Sequence, residues 1–178
     1  MRRTPNHDTP ATWGRMTMGE GVSPTHTFLE EPGKLALILR GESLADLVTE
    51  GGRALGSRMR GQAQQGASGP WVEVQCRASG RETLLAEWLN RLLALARRDR
   101  WAPVECQVLE VSDSSLHARV RGVPLPGEHR LGKALIRPDS LNALGDHGLQ
   151  VEVTLEAPDA DAGNRVALTA SASMKGRE

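Results

Sequence analysis

Glu30 and Glu31 stand side by side just before Pro32-Gly33. Two adjacent carboxylates, helped by a backbone carbonyl, are hard oxygen donors of the kind that hold calcium or magnesium. The same residues also read as a solvated acidic turn, because Pro-Gly is a turn signal. Asp159 and Asp161 have the spacing of a calcium-loop fragment. They lack the glycine and the closing glutamate of such a loop, so a charged hairpin turn fits them better. Cys76 and Cys106 form no Cys-x-x-Cys pair, and no histidine lies at zinc-ligand spacing from them. Strand alternation points both thiols inward, as packing residues. His7, His26, His117 and His147 are scattered, and no spacing joins a nucleophile to a base. The glycines of 51–52 and 61–69 lack the strand–loop–helix setting of a phosphate loop.

Arg91, Arg97, Arg98 and Arg100 could meet RNA or an acidic partner. No aromatic residues are interleaved with them to stack bases. They also complement the dipole at the end of a helix. That helix, Ser79 to Arg100, is the strongest in the chain. Leu84, Leu85, Trp88, Leu89, Leu92 and Leu93 form one apolar stripe at helical spacing. Ser79 and Glu82 have capping-box spacing, and Glu87 lies one turn before Arg91.

The remaining elements must cover the stripe. Leu35, Leu37 and Leu39 alternate in a strand over 34–40. Ser43 can cap a helix from Leu44 to about Met59, with Gly51-Gly52 weakening its middle by about 1 kcal/mol each. Further strands are expected over 71–78, 104–111, 116–121, 149–155 and 166–170. A loop is expected over 122–132, and 133–144 is ambiguous because of Pro138. Hairpins with one wet face argue for an α+β two-layer sandwich, an antiparallel or mixed sheet with both helices on its dry face. Residues 1–24 and 172–178 read as disordered ends of one domain over 25–171.

Composition narrows the function. The chain has 178 residues, with 22 basic and 22 acidic side chains, so direct nucleic-acid binding is not expected. Two cysteines are too few for a disulfide scaffold. There is no membrane-spanning run and no secretory signal, which leaves a cytoplasmic protein as the expectation.

Three stretches resemble the archease family. The first is Phe28-Leu29-Glu30-Glu31, an alternating strand, then Gly41-Glu42-Ser43-Leu44. The second matches a Leu-Leu-x-x-Trp-Leu-Asn-x-Leu-Leu helix at Leu84, Leu85, Trp88, Leu89, Asn90, Leu92 and Leu93. The third, Gly122 to His129, is similar to the loop after the family's hairpin, with His129 at a family histidine. The resemblance spans roughly 26–170. It implies a non-enzymatic accessory protein that promotes guanylylation and turnover of an RNA ligase. That ligase joins ends bearing a 3′-phosphate or 2′,3′-cyclic phosphate, in tRNA splicing or RNA repair.

The family's metal-binding aspartates fall at Lys34 and at or near Thr169 in this reading. A lysine repels a cation, so the metal site is expected to be lost and cofactors absent, with only weak divalent binding left to Glu30 and Glu31. A family lysine is replaced by Arg137 if one residue is skipped, and by Ile136 otherwise. Glu30, Glu31, His129 and Arg137 are the expected partner contacts. The alternative is a protein-binding domain of the same fold without a ligase role, using the sheet's open face or the Arg137 loop.

Overall fold

A computed structural model describes residues 22–61 and 69–156. The elements in order are β1 (Thr25–Glu31), β2 (Lys34–Gly41), α1 (Leu44–Arg60), β3 (Val72–Arg77), α2 (Arg81–Asp99), β4 (Trp101–Val111), β5 (Ser115–Pro124), β6 (Ala134–Ile136), β7 (Asn142–Leu144) and β8 (Gly148–Glu156). The α+β class stands, but the strands divide between two antiparallel sheets instead of forming one. One has the order β1-β2-β8-β6, with β7 also on β8; the other is β3-β5-β4. Alternation reveals which face of a strand is wet but not which strand lies beside it. The helix pair is shared by both sheets: α1 packs on β2 and β4, and α2 on β6, β3 and β4.

The stripe of α2 is the centre of the core. Trp88, Leu84, Leu89 and Leu92 are fully buried with Leu37 and Leu39 of β2, Val151, Val153 and Leu155 of β8, and Ala118 and Val120 of β5. Trp88 Nε1–H donates to the Val48 carbonyl at 2.9 Å, which ties the indole to α1. Asn90, on the flank of the stripe, donates from Nδ2 to the Ala134 carbonyl and accepts from the Ala134 N–H, each at 2.9 Å. One side-chain amide thus acts as a strand partner for β6.

One local expectation changes. The Ser79–Glu82 capping box is not formed. Gly80 is the N-cap of α2 in extended backbone, with no side-chain cap, so the helix starts one residue later than that spacing requires. The capping box belongs to α1: the Ser43 hydroxyl accepts from Asp46 N–H at 3.2 Å, and the Asp46 carboxylate accepts from Ser43 N–H at 3.1 Å. Helix α1 runs unbroken through Gly51-Gly52, and packing offsets their weakness there, because these glycines are contact surfaces. A Cβ on Gly51 would lie 2.9 Å from Leu89 Cδ2, one on Gly52 would strike Cys106 Sγ, and one on Gly56 would overlap the Pro103 carbonyl. The ambiguous stretch 133–144 holds β6 and β7, with Pro138 between them. The strand expected over 166–170 lies outside the described residues, as do Asp159, Asp161 and Thr169.

Candidate functional site

Strand β1 carries the acidic pair, and its two faces serve different ends. His26, Phe28 and Glu30 face α1. His26 Nδ1 lies 2.6 Å from Glu50 Oε1, Arg58 sits 5.5 Å from the centre of the Phe28 ring, and Arg58 also pairs with Glu30. Four strand residues rise about 13 Å, and the eight helical residues from Glu50 to Arg58 rise about 12 Å. The two elements therefore run in step. Glu50 is 3% exposed, the one charged residue buried among those described. It is satisfied by His26 and by Arg53 Nη1 at 3.2 Å. Sequence reading passed over this pair. The available signal was a carboxylate three residues after Leu47 and four before Ala54, on the apolar side of α1.

Glu31 faces the other way. Pro32-Gly33 turns the chain, with Gly33 at φ 77°, where a side chain would be strained. The turn brings Lys34 Nζ to 2.6 Å from Glu31 Oε2. Lys34 is in turn the register partner of Glu156 at the end of β8. The loop before β6 closes on the same point: Gly132 N–H donates to the Glu156 carbonyl at 2.7 Å, and Glu156 N–H donates to the Lys133 carbonyl at 3.0 Å. Glu31, Lys34, Glu156 and Lys133 therefore lie across three neighbouring strands and the loop that enters β6 as a row of alternating sign. Glu156 and Lys133 escaped sequence reading because only the pairing of β2 with β8 makes them neighbours of Lys34.

His129 belongs to the loop that leads into this end. It is half-buried against α2 rather than a free surface group. Its Nδ1 accepts from Leu131 N–H at 3.2 Å, and its Nε2 is buried beside the Leu93 backbone. Arg97 Nη2 holds the same loop through the Leu131 carbonyl at 2.7 Å. Arg137 is exposed, just past β6, and its carbonyl accepts from Ser140 N–H at 3.2 Å. The strand order β1-β2-β8-β6 keeps it some three strand spacings, about 14 Å, from β1. Of the four expected contacts, the fold therefore gathers Glu31 and the His129 loop at one end. It turns Glu30 toward α1 and leaves Arg137 apart.

Burial, and then the Arg97 charge, lower the His129 pKa below its ordinary 6.5. The folded loop thus favours the neutral ring, while the unfolded chain takes up the proton first. Stability from this group is complete above 6.5 and is lost as pH falls from 6.5 through the depressed folded value. Amide exchange of residues 129–133 is expected to quicken on acidification across that window. In His129→Gln the extra acid sensitivity disappears; an unchanged pH dependence in that variant would contradict the assignment.

Chemically, the described residues of this end present charge and hydrogen-bonding groups. No group of three or more His, Cys, Asp or Glu side chains among the described residues is disposed to hold a metal ion. Burial pushes the thiols of Cys76 and Cys106 up to about 11 and about 12, so both stay protonated at neutral pH. Cys76 lies in the core as expected, whereas Cys106 is only partly buried. Among the described residues, no helix is long and apolar enough to cross a membrane.

No curated protein matches the chain. Solved structures that share its fold include two at low identity. One is the solution structure of protein 1598 of Methanobacterium thermoautotrophicum, 17% identical with a TM-score of 0.54, covering 74% of this chain and 97% of that one. The other is the crystal structure of an archease, described as a possible chaperone, from Thermotoga maritima, 15% identical with a TM-score of 0.53, covering 75% and 98%. The model of the Archease protein family matches residues 26–159, a span from β1 through β8 that takes in both helices and the charged row. The chain belongs to the Archease protein family.

Proposed function

We propose that the chain is a non-enzymatic accessory protein of an RNA ligase that joins 3′-phosphate or 2′,3′-cyclic-phosphate RNA ends. In this reading it meets the ligase through the Glu31–Lys34–Glu156 end of the five-stranded sheet, without holding a metal there. Family membership supports the role. The observation that carries the metal-free form is the Lys34 ammonium, 2.6 Å from Glu31 and in register with Glu156. An internal cation thus sits among the carboxylates that a divalent ion would need. With side chains 41% and 48% exposed, the Lys34–Glu31 pair contributes at most about 1 kcal/mol to stability. Its value is to present a fixed charge pattern, which sets register and partner choice more than affinity.

Calorimetric titration with calcium and with magnesium is expected to show no site tighter than about 1 mM. In Lys34→Asp the repelling charge is replaced by a third carboxylate, and divalent affinity is expected to rise at least about tenfold. A micromolar site in the unaltered protein would contradict the metal-free reading.

A second reading is a domain of this fold that docks on another protein through the open face of the same sheet. Leu29 and Leu135 are 46% and 42% exposed, and they share one row of that face with Ala36 and Thr154. Co-purification of the tagged chain from its source cells separates the two: the first reading requires the ligase in the eluate, and the second a different partner that Leu135→Glu releases.

A further inference from the structure

Strand β1 is the outer strand of the five-stranded sheet, and among the described residues nothing pairs with its far edge. The two-residue Pro32-Gly33 turn makes Glu31 and Lys34 the closing hydrogen-bonded pair of the hairpin. Thr25, Thr27, Leu29 and Glu31 therefore direct their backbone N–H and C=O groups at β2. Those of His26, Phe28 and Glu30 point the other way, in the plane of the sheet. The opposite edge is closed differently. β6 is three residues long, and the Asn90 amide occupies both the N–H and the C=O of Ala134. A seven-residue edge with three outward donor–acceptor sets is a template for another strand. The described residues before β1 leave that edge clear. Val22 lies against Gly148 of β8, beyond β2, where a Cβ on the glycine would stand 2.8 Å from Val22 Cγ2.

We propose that this edge is an interface between two copies of the chain, which pair their β1 strands antiparallel about a two-fold axis at Phe28. Antiparallel pairing sets an outward residue against an outward residue, and each such pair exchanges two N–H···O=C bonds. Only the register centred on Phe28 uses all three positions: His26 meets the second copy's Glu30, Phe28 meets Phe28, and Glu30 meets His26. The same register opposes Thr27 to Leu29 and Thr25 to Glu31, so no carboxylate faces another. A register centred on Glu30 sets like charges together. Within each copy Arg58 already pairs with Glu30, and His26 with Glu50. Joining the strands continues that alternation of base and acid across the axis, while Arg58 covers the Phe28 ring from the helix side. A two-fold contact of this kind closes at two copies. Asn90 caps both far edges of the joined sheet, so it does not grow.

The test needs no ligase, so its failure and the failure of the ligase reading are separable. Full-length protein is followed by sedimentation equilibrium from about 20 µM to about 1 mM, a range that reaches weak, small interfaces. A monomer–dimer equilibrium is expected. Amide exchange is read by NMR at both ends of the range. The His26, Phe28 and Glu30 amides are expected to gain at least about tenfold protection with concentration, and the Thr27 and Leu29 amides, already bonded to β2, to gain less. Phe28→Pro removes one outward donor and leaves the β2 ladder whole, and is expected to weaken the dimer at least about tenfold. Glu30→Lys sets an ammonium beside the second copy's His26 and is expected to weaken it at least about threefold. Thermal melts check the fold of each variant; if Phe28→Pro does not fold, Glu30→Lys and the exchange pattern carry the test. The proposal is overturned by a monomer throughout, by assemblies larger than a dimer, or by a folded variant that dimerises like the parent. A dimer that leaves the three amides unprotected overturns it as well. So does protection that ignores concentration, which would assign the edge to another segment of the same chain.

Discussion

Gly56→Ala is expected to lower the thermal unfolding midpoint by on the order of 10 °C or to prevent folding altogether. Two effects of the added methyl oppose each other. Alanine favours a helix over glycine by about 1 kcal/mol. Against that, a Cβ on Gly56 overlaps the Pro103 carbonyl, a backbone group of β4 that no rotamer change can move aside. Separating α1 from β4 disturbs the contact between the helix pair and the three-stranded sheet. Overpacking of this kind costs about 1–3 kcal/mol and sometimes more, and each kcal/mol is worth about 2–4 °C in a chain of this size. The clash therefore wins. Gly52→Ala is expected to do less damage, because the atom it meets is the Cys106 thiol, which can turn away. Gly127→Ala meets nothing and is not at positive φ, so it should stay within about 0.5 kcal/mol of the parent. Scanning calorimetry of the three variants gives this order or refutes it. Equal midpoints for Gly56→Ala and Gly127→Ala would mean that α1 does not approach β4 as closely as described.

Trp88→Ala is expected to cost about 3–5 kcal/mol, on the order of 10 °C or more in unfolding midpoint. The indole is fully buried between the two sheets, so its removal leaves a cavity that rigid strands cannot close. It also ends the bond to the Val48 carbonyl. Trp88→Phe keeps most of the volume and loses the donor, so it should recover more than half of the loss. Chemical denaturation with both variants separates the cavity from the hydrogen bond. A Trp88→Phe variant as unstable as Trp88→Ala would assign the effect to the bond alone.

These two positions show what the sequence made legible and what it hid. The α2 stripe was readable because 3.6-residue periodicity is a local property; its six apolar side chains are all in the core. Gly56 was not, because a glycine in a helix looks like a weakness until the strand beside it is known. The same holds for the candidate functional end. Glu31 and Lys34 are separated by two turn residues, so their meeting follows from Pro32-Gly33. Glu156 joins them only through the β2–β8 register, across more than 100 residues. Local signals failed only where two similar ones competed: Ser79–Glu82 has the spacing of a capping box, but Ser43–Asp46 has the geometry.

The charge row can vary without disturbing the frame of the sheet. The backbone bonds that hold β2 against β8 do not depend on which side chain occupies position 34. A change of charge there, as in Lys34→Asp, is therefore expected to leave the sheet intact. Lys34 itself is paired, with its ammonium 2.6 Å from the Glu31 carboxylate.

The central claim is that this end of the five-stranded sheet serves an RNA ligase without a metal of its own. The most direct measurement is multiple-turnover joining of RNA ends bearing a 3′-phosphate, with the ligase from the same source in the presence and absence of the chain. Turnover is expected to rise when the chain is added, and the rise is expected to vanish with the charge-reversed Lys34→Glu variant, whose fold is checked by its melt. An unchanged turnover with the parent chain, or full stimulation by Lys34→Glu, would contradict it.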